Sequence, residues 1–432
     1  MLNDSDYLAA VREQYELLPY PPRQPEDEDT RLITTWLDDL PMIDHYCFGG
    51  RQTFEDDFRV LVAGGGTGDG TIYLAQQLRN TNAEIVHLDL SEASIDIARR
   101  RAARRNLNNI RWVHDSLLSI PALALGEFDY INCSGVLHHL ADPDAGLNAL
   151  LSVRKHSGAL GLMVYGKYGR TGVYQLQALL SKINDGSANS AQQLANAKEV
   201  LNVLPATNWF HRGRDLYSDH IALGDAGIYD LLLHPQDRGY TVEELYAWLE
   251  DQHGLHLELT DVGRGRSPYL PQMVFGPKTP QFVANMAARP LREQYAIAEL
   301  LGGTLTTHSF YATANHAAAA AYGELGLTPY FFHEPITGPA ISSYIHKNQA
   351  TPFIINHSHS GVSVAVDPGK FGKFVIKYID GERTFAEIFS LVKAEDKFRR
   401  NPPSDADLWA DFKNLFDFFR AIDRLFLKRH RG

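Results

Sequence analysis

The sequence predicts an α/β protein in which a parallel sheet carries helices on both of its faces. Short apolar runs rich in β-branched residues alternate with segments of helical periodicity between residues 58 and 165. The first of these runs ends in a glycine-rich turn at Gly64–Gly68 and then passes into a helical segment. Strands that alternate with helices in this way favour a parallel sheet, because the helices connect successive strands.

The predicted elements follow in chain order. Strands are expected at residues 58–63, 83–90, 110–114, 128–133 and 159–165. Helices are expected at residues 71–78, 92–106 and 145–153. Ser91 precedes the second helix and is a good N-cap, since its side chain can accept a hydrogen bond from a free backbone N–H of the first turn.

A less regular segment follows the fifth strand. Residues 166–253 contain two further predicted helices, at 175–183 and 190–201, and a loop rich in polar side chains. Thr241 and Glu244 form a predicted capping box at the start of another helix. Two closing strands are expected at residues 255–262 and 272–275.

Three regions are predicted along the chain. Residues 1–57 form an N-terminal arm or lid with a short helix, a proline-rich stretch and an acidic run at 25–29. Residues 58–278 form the main domain, with residues 166–253 as a cap insertion. Residues 279–432 form a smaller, mainly helical domain for dimerisation or substrate docking, which makes a homodimer one expected state. Its last helix follows the N-cap candidate Ser404.

Composition restricts the class of protein. The chain has 432 residues, a formal net charge of -11 and two cysteines. An acidic chain repels nucleic acid and anionic membranes on average, so neither is expected as a partner. Two cysteines do not make a disulfide framework, and we find no signal peptide or membrane-spanning run. We therefore expect a cytoplasmic protein.

The glycine turn carries the strongest functional signal. Its spacing is GxGxG, formed by Gly64, Gly66 and Gly68. The dinucleotide fingerprint GxGxxG requires a third glycine at position 69 or 71, where this chain has Asp69 and Thr71. A nicotinamide-dependent dehydrogenase is therefore disfavoured.

Two carboxylates follow the next strands. Asp89 ends the second strand and Asp115 follows the third. Either residue alone is more simply a helix cap or a solvated loop residue. Together with the glycine turn they lie at the carboxyl ends of successive strands, where open α/β sheets bind ligands. Asp89 could accept hydrogen bonds from a ribose diol, and Asp115 from an adenine amine.

These motifs, together with the segment from Cys133 to Pro143, resemble the class I S-adenosylmethionine-dependent methyltransferases. The resemblance implies a Rossmann-like, seven-stranded domain that uses S-adenosylmethionine and releases S-adenosylhomocysteine. It implies that the following residues bind this cofactor: Gly64, Gly65, Gly66, Thr67, Gly68, Asp89, Leu90, Asp115, Ser116 and Ser134. Tyr15, the segments 19–21 and 48–51, and the appended C-terminal region resemble a poorly characterised bacterial methyltransferase group. The appended region is similar to the regulatory domain of some bacterial protein methyltransferases. Residues 378–388 resemble part of a winged helix.

His138 and His139 are candidate catalytic bases. The alternative is that one packs under the sheet edge and the other orders the following turn, and this alternative is favoured because the resembling family carries the pair with unrelated substrates. A zinc site built from His211, His220 and His234 is disfavoured, because no tight ligand spacing supports it. No metal is therefore expected.

The insertion is the expected location of the acceptor pocket, since loops on a rigid scaffold carry specificity. Candidate substrate-binding residues are Tyr20, Tyr165, His211, Tyr217, His234 and Arg238. The sequence at Cys133–Val136 differs from the motif typical of DNA-base and glutamine N-methyltransferases. The leading interpretation is methyl transfer to an oxygen or nitrogen of a small molecule or natural product. The alternatives are a protein side chain as acceptor, or a regulatory module that binds the cofactor without turnover.

The arginine-rich segment at residues 99–105 could suggest nucleic-acid binding. It lies on the predicted helix that follows Asp89. We therefore expect most of its side chains to form a solvated helix face rather than a binding patch.

Overall fold

The computed structural model describes most of the chain, namely residues 4–184, 189–260, 269–271, 274, 280–286, 288–316, 318–332, 337–348, 353–357 and 362–429. The chain forms two compact units. The first unit comprises Met1–Asp39, Thr53–Thr241 and Gly303–Ala314. The second comprises Leu40–Gln52, Val242–Gly302 and Asn315–Gly432. These units interleave along the chain, whereas the sequence predicted consecutive regions.

The described strands are β1 (Arg59–Ala63), β2 (Glu84–Asp89), β3 (Ile110–His114), β4 (Phe128–Ser134), β5 (Arg154–Tyr165), β6 (His256–Thr260), β7 (Thr307–Thr313), β8 (Leu327–Phe331), β9 (Phe353–His357), β10 (Val362–Val366) and β11 (Leu425–Arg429). Five short 3₁₀ helices are also described, at Pro25–Asp29, Trp36–Asp38, Leu117–Ala122, Leu137–His139 and Arg214–Leu216.

The described α-helices are α1 (Asp4–Leu17), α2 (Leu40–Cys47), α3 (Asp69–Gln77), α4 (Glu92–Arg104), α5 (Pro143–Leu151), α6 (Thr171–Ile183), α7 (Ser190–Val203), α8 (Trp209–Arg212), α9 (Asp219–Ala222), α10 (Gly224–Leu232), α11 (Val242–Tyr246), α12 (Gln281–Met286), α13 (Leu291–Gly302), α14 (Gly338–Asn348), α15 (Gly372–Lys377), α16 (Phe385–Ala394) and α17 (Asp405–Ala421). A π-helical turn, Ala247–Gln252, follows α11.

Six strands of the first unit form a sheet in the order β3-β2-β1-β4-β5-β7. Strands β1 to β5 pair in parallel, and β7 pairs antiparallel with β5. Strands β1, β2 and β4 are buried along almost their whole length. Parallel strands that are buried on both faces consist of nearly continuous apolar residues. The bounds predicted from the sequence therefore lie close to the observed ones. The predicted Rossmann-like α/β class, with an additional helical C-terminal region, is confirmed.

Side-chain caps define several of the helix starts. Ser91 accepts a hydrogen bond from the backbone N–H of Ser94 at 3.1 Å, as the sequence predicted. Ser404 and Asp407 form a capping box at the start of α17, which runs from Asp405 to Ala421. Asp142 accepts from two backbone N–H groups at the start of α5. Each of these bonds satisfies N–H groups that have no partner within the helix.

The closing strands differ from the prediction. The first is β6, and residues 261 and 262 of its predicted range lie outside the described residues. Gln272, Met273 and Phe275 of the second also lie outside them, and Val274 is helical. The strand beside β5 is instead β7, whose register pairs Ala159 with Thr313 and Tyr165 with Thr307. Its sequence is Thr-His-Ser-Phe-Tyr-Ala-Thr, which lacks the apolar run that marks the other buried strands.

The segment between β5 and residue 241 forms its own helical layer. A small core joins α6, α7 and α10, built around Val173, Leu176 and Leu231. Phe210 and Tyr217 stack in this core with ring centroids 5.2 Å apart. This layer gives the first unit a rigid support for loops beyond the ends of β4 and β5.

The second unit has a separate apolar core. Its members include Phe385, Phe389 and Phe412, which come from α16 and α17. Strands β8 and β11 form an antiparallel pair, as do β9 and β10. Helix α2 belongs to this unit because the His45 ring stacks on Phe426 of β11, with ring centroids 4.7 Å apart.

No helix in the described part of the chain combines the length and apolar character that crossing a bilayer requires.

Candidate functional site

The glycine turn joins β1 to α3 and adopts the backbone conformation that its glycines permit. Gly64, Gly66 and Gly68 have φ values of 75°, 51° and 101°. These values lie in the left-handed region that side chains disfavour. The backbone N–H groups of Gly64 and Gly65 both donate to the carbonyl of Leu88 in β2. The turn is therefore held against the end of the neighbouring strand.

Asp89 lies where β2 ends and orders the glycine turn directly. One of its carboxylate oxygens accepts from the backbone N–H of Gly66 at 2.7 Å, and the other accepts from Ser91 at 2.9 Å. Burial raises the pKa of Asp89 above its ordinary value. A carboxylate oxygen can accept more than one hydrogen bond, so both oxygens keep acceptor capacity toward a ligand.

Three oxygen-bearing side chains follow neighbouring strand ends. Asp115 comes after β3, and its backbone N–H donates to the carbonyl of Asp89 at 3.1 Å. The Asp115 carboxylate accepts from the N–H of Ser116 at 2.7 Å. Ser134 ends β4, and Asp89, Asp115 and Ser134 are all half-buried. This donor set fits a nucleoside cofactor, since carboxylates suit a ribose diol and an exocyclic amine.

Other predicted cofactor residues have structural partners here. The Thr67 hydroxyl donates to the carbonyl of Pro21 at 2.7 Å. The Ser116 hydroxyl accepts from the N–H of Leu118 and caps the 3₁₀ helix that follows β3. The carbonyl of Leu90 lies 3.0 Å from a ring nitrogen of His114.

The N-terminal arm lies directly over the glycine turn. A Cβ added at Gly66 would come within 2.7 Å of the carbonyl oxygen of Tyr20. Together with the bond from Thr67 to Pro21, this shows that residues 20 and 21 cover the turn. Arg23 continues the contact, since its guanidinium pairs with Asp69 at 2.6 Å. Residues 20–23 of the arm therefore cover the glycine turn.

A buried ion network fixes the arm to α4. Arg101 pairs with Glu28 and Asp69 at 2.7 Å each, and both Arg101 and Glu28 have fully buried side chains. Arg101 also donates to the carbonyl of Thr67 at 2.8 Å. Arg105 pairs with the same Glu28 carboxylate. These contacts join the acidic run of the arm, the arginine-rich helix and the glycine turn.

Within residues 99–105, the expected solvated face is interrupted at Arg101. Arg99 and Arg100 are exposed as expected, but Arg101 is completely buried. Arg104 pairs with Glu26 and Asp29 at 2.6 Å each. The sequence pattern did not indicate these acidic partners, because they lie more than 70 positions earlier in the chain.

A cluster of aromatic rings lies beyond the ends of β4 and β5. We call it the histidine cluster; its members are His138, His139, Tyr165 and His234. The ring of His138 lies 3.8 Å from that of Tyr165 and 4.2 Å from that of His139, centroid to centroid. The rings of His139 and His234 are also 3.8 Å apart. The structure thus brings together both predicted catalytic residues and two of the predicted substrate residues.

The histidines of the cluster differ in their hydrogen bonding. Both ring nitrogens of His138 are buried and have no hydrogen-bond partner among the described residues. Burial lowers the pKa of His138, and also that of His234, well below the ordinary value. His139 has its Nδ1 atom 3.0 Å from the carbonyl oxygen of Gln236. A carbonyl only accepts, so Nδ1 carries a proton, and in the neutral ring Nε2 is then the acceptor nitrogen.

Asp230 connects the histidine cluster to the arm. Its carboxylate accepts from the hydroxyl of Tyr15 at 3.1 Å and from that of Tyr165 at 3.2 Å. The backbone carbonyl of Tyr15 in turn accepts from the Ser91 hydroxyl, beside Asp89. Burial raises the pKa of Asp230. Tyr15 thus joins the segment after β2 to Asp230, which hydrogen-bonds to Tyr165 of the histidine cluster.

A second buried ion pair supports the other face of Tyr165. Arg170 pairs with Asp237 at 3.0 Å, and both side chains are almost fully buried. The guanidinium carbon of Arg170 lies 3.5 Å from the centroid of the Tyr165 ring. Gln177 donates to the same Asp237 carboxylate at 2.8 Å. This pair fixes the orientation of Tyr165 against His138.

The remaining predicted substrate residues lie outside the histidine cluster. Tyr217 is buried in the core of the helical layer and donates to the carbonyl of Gly169 at 2.8 Å. His211 is half-buried beside Arg214, with 3.4 Å between their nitrogens. Arg238 is exposed and lies over the Tyr240 ring, although its backbone N–H donates to the carbonyl of His138. Tyr20 contributes its backbone to the cover of the glycine turn.

His211, His220 and His234 are not grouped around a common point. His220 packs edge-on against Phe210, whereas His234 stacks on His139. Among the described residues, the one group of three side chains placed to hold a metal ion is Glu250, His256 and His316.

Sequence reasoning missed Asp230 and Asp38. Asp230 lies among apolar residues in α10. A carboxylate in an apolar stretch could have indicated a buried polar contact. Asp38 is buried and accepts from Thr35 at 2.6 Å and from Asn132 of β4 at 2.7 Å. Burial raises the pKa of Asp38 to about 7.

Comparison with known proteins adds the family context. A family model described as "Methyltransferase domain" matches residues 61–160. The chain is 31% identical over 304 residues to an uncharacterised protein of Synechococcus sp., covering 70% of each chain. It is 32% identical over 112 residues to the tRNA 5-carboxymethoxyuridine methyltransferase of Escherichia coli, covering 26% of this chain and 41% of the relative.

Among solved structures, the chain is similar to PKMT2 from Rickettsia typhi in complex with AdoHcy. The TM-score is 0.58 at 16% identity, and the alignment covers 95% of this chain and 77% of the other. At this identity the likeness supports the fold. The structural alignment covers 95% of this chain, so the likeness extends beyond residues 61–160, which the family model matches.

Proposed function

This chain belongs to the class I S-adenosylmethionine-dependent methyltransferases, and from that premise we propose that it methylates an oxygen or nitrogen atom of a small molecule. S-adenosylmethionine is the methyl donor and S-adenosylhomocysteine the product of this family. The donor supplies a methyl group on a sulfonium centre, so the enzyme has chiefly to align the nucleophile and exclude water.

We assign the cofactor to the glycine turn and the three strand ends. Asp89 would hold the ribose hydroxyls, and Asp115 with Ser116 would lie beside the adenine. Ser134 would lie near the reacting centre at the end of β4. The support is geometric, since these groups follow neighbouring strands and the backbone bond between Asp115 and Asp89 keeps two of them adjacent.

One observation carries the acceptor assignment, namely the burial of the histidine cluster. His138, His139, Tyr165 and His234 each expose less than a tenth of their surface. The cluster follows β4 and β5, whose ends pair Ser134 with Met163. Enclosed, mostly apolar surroundings with a few polar groups are typical of small-molecule sites, whereas a protein side chain would need an open mouth.

His139 is the better candidate for a general base. Gln236 holds its Nδ1 proton, so Nε2 can take a proton from an acceptor hydroxyl or ammonium group. Asp230 accepts a hydrogen bond from Tyr165, whose ring lies edge-on to that of His139, so a carboxyl group stands close to the proposed base. His138, with no hydrogen-bond partner among the described residues, is better suited to form the wall against which the acceptor packs.

The charges around α4 support an acceptor other than nucleic acid. Arg101, Arg104 and Arg105 pair with carboxylates of the arm, so they present little unpaired positive charge to a phosphate backbone. An oxygen acceptor has further support from a relative, since the ubiquinone biosynthesis O-methyltransferase of Acinetobacter baylyi is 21% identical over 199 residues.

The first test is titration calorimetry of the purified protein with S-adenosylmethionine and S-adenosylhomocysteine. Saturable binding with a dissociation constant of about 1–100 μM is expected. Product formation would then be followed with hydroxyl- and amine-bearing small molecules, and separately with protein extracts. Turnover confined to the protein extracts would replace the small-molecule proposal by the protein side-chain alternative.

The base is tested with His139→Gln. This variant should lower kcat by about 10²–10⁴-fold while cofactor affinity stays close to that of the parent. His156→Gln is the matched control, because His156 is an exposed histidine of the same unit. Equal activity of His139→Gln and the control would exclude His139 as the base.

A further inference from the structure

A group of potential metal ligands lies within the second unit. Its members are Glu250 in the π-helical turn, His256 at the start of β6 and His316 in the segment before β8. One ligand atom from each side chain lies within 4.8 Å of the other two. Two imidazoles and one carboxylate are a donor set that suits zinc and similar divalent ions.

The distances within this group fit a shared ion. His256 Nδ1 lies 3.4 Å from the Glu250 carboxylate and 3.0 Å from His316 Nδ1. Ligand atoms at roughly 2.0–2.1 Å from a tetrahedral zinc ion lie about 3.3 Å from one another. Only small side-chain movements would place these three atoms around one ion.

The second nitrogen of His256 gives an independent indication. His256 Nε2 lies 3.5 Å from the Glu258 carboxylate, and Glu258 is itself paired with Arg420. Metal-binding histidines commonly donate their other N–H to a carboxylate, which fixes the ring and its tautomer. Glu258 is placed to leave Nδ1 of His256 free to bind an ion.

The carboxylate ligand is also held in place. Glu250 accepts a hydrogen bond from the backbone N–H of Leu257 at 3.1 Å. Glu250, His256 and Glu258 are each about one-fifth exposed, so an ion could reach the group without a change of fold.

We propose that Glu250, His256 and His316 bind one divalent ion of the zinc class, with a water molecule completing the coordination. The ion would join the helical turn after α11, strand β6 and the segment at His316. It would act as a structural link within the second unit. This inference is independent of the methyl acceptor and departs from the sequence-based expectation of no metal.

The test is calorimetric titration of the full-length, tag-free, chelator-treated protein with Zn²⁺ alone. The parent should bind one equivalent saturably. His316→Ala should weaken this binding tenfold or more, and Glu258→Gln should weaken it about 10–100-fold through the orientation of His256. His346→Ala is the matched control, since His346 is an exposed histidine of the same unit, and it should match the parent.

Thermal unfolding provides a second measurement that does not depend on enzyme activity. Added Zn²⁺ should raise the Tm of the parent and of His346→Ala, and should raise that of His316→Ala much less, because an ion that binds only the folded state stabilises it. Circular dichroism before titration confirms that each variant is folded. Absence of saturable Zn²⁺ binding by the folded parent, or equal binding by His316→Ala and the control, would overturn the proposal.

Discussion

The Arg101 guanidinium lies 2.7 Å from the Glu28 carboxylate, and both side chains are completely buried. Glu28 belongs to the arm, whereas Arg101 belongs to α4 and also donates to the carbonyl of Thr67 in the glycine turn. The pair therefore sets the position of the arm over the turn. A buried charge that loses its partner is costly, which makes this contact a sensitive point of the first unit.

Glu28→Gln should lower the free energy of unfolding by about 3–5 kcal/mol, because Arg101 and Arg105 lose their shared carboxylate. Urea unfolding measures this effect. Glu26→Gln is the matched control, since Glu26 pairs with Arg104 at the surface and should cost at most about 1 kcal/mol. Similar losses in the two variants would mean that the buried pair does not hold the arm.

Gly66→Ala should destabilise the first unit more than Gly224→Ala. Both glycines have positive φ, so each alanine carries a backbone cost of about 1–2 kcal/mol. Only the Cβ at position 66 would approach backbone, at 2.7 Å from the Tyr20 carbonyl, whereas position 224 has open space. Urea unfolding gives the difference, and proteolysis near residue 20 should become faster in Gly66→Ala alone. Equal stability losses would show that the arm does not rest on the turn.

Asp89→Ala should weaken S-adenosylmethionine binding by about 1–3 kcal/mol, the scale of a hydrogen bond to a charged group. Titration calorimetry measures it, with Asp96→Ala on the exposed face of α4 as control. Asp89 also accepts hydrogen bonds from the backbone of Gly66 and Ser91, so the substitution can change stability as well. The free energy of unfolding of the variant must therefore be measured together with its affinity. Unchanged affinity in a folded Asp89→Ala protein would remove Asp89 from the cofactor site.

Asp38 should make the first unit less stable as pH rises. Its pKa is about 7 in the folded chain and about 3.9 in an unfolded one, so the folded state retains a proton that the unfolded state loses. The stability that this proton contributes is present below about pH 4 and is lost as pH rises through about 7.

Asp38→Asn should therefore reduce the loss of stability between about pH 5 and about pH 8, which urea unfolding at the two values would measure. The control is Asp56→Asn, because Asp56 is exposed. The pKa values of Asp89 and Asp230 are also raised, so the informative quantity is the difference in pH dependence between variant and parent. An identical pH dependence in Asp38→Asn and the parent would contradict the assignment.

The parts of the fold that the sequence predicted are those whose signal is local. Strands β1, β2 and β4 are largely apolar and buried, and the glycine turn is a contiguous motif. Strand β7 was missed because its buried residues include His308 and Ser309, whose polarity hides a strand position. Its place in the sheet depends on pairing with β5, which lies about 150 positions earlier.

The same reasoning separates the predicted from the missed parts of the site. The strand-end residues Asp89 and Asp115 follow from strand order alone. Arg101 looked like a surface residue because Glu28, its partner, lies 73 positions away. Asp230 and Tyr15 are 215 positions apart, and neither indicates the other in the sequence. Contacts of this kind depend on tertiary structure, which periodicity and motif spacing do not encode.

The late position of β7 bears on how the protein is made. Synthesis runs from the N-terminus, so the ribosome produces β5 long before Thr307–Thr313 is available to pair with it. Until then, the edge of β5 exposes unpaired backbone groups that another chain could engage. A shortened gene that stops at residue 278 would leave that edge open permanently. We therefore expect such a product to aggregate on expression, whereas one extended past residue 314 would contain every strand of the first unit.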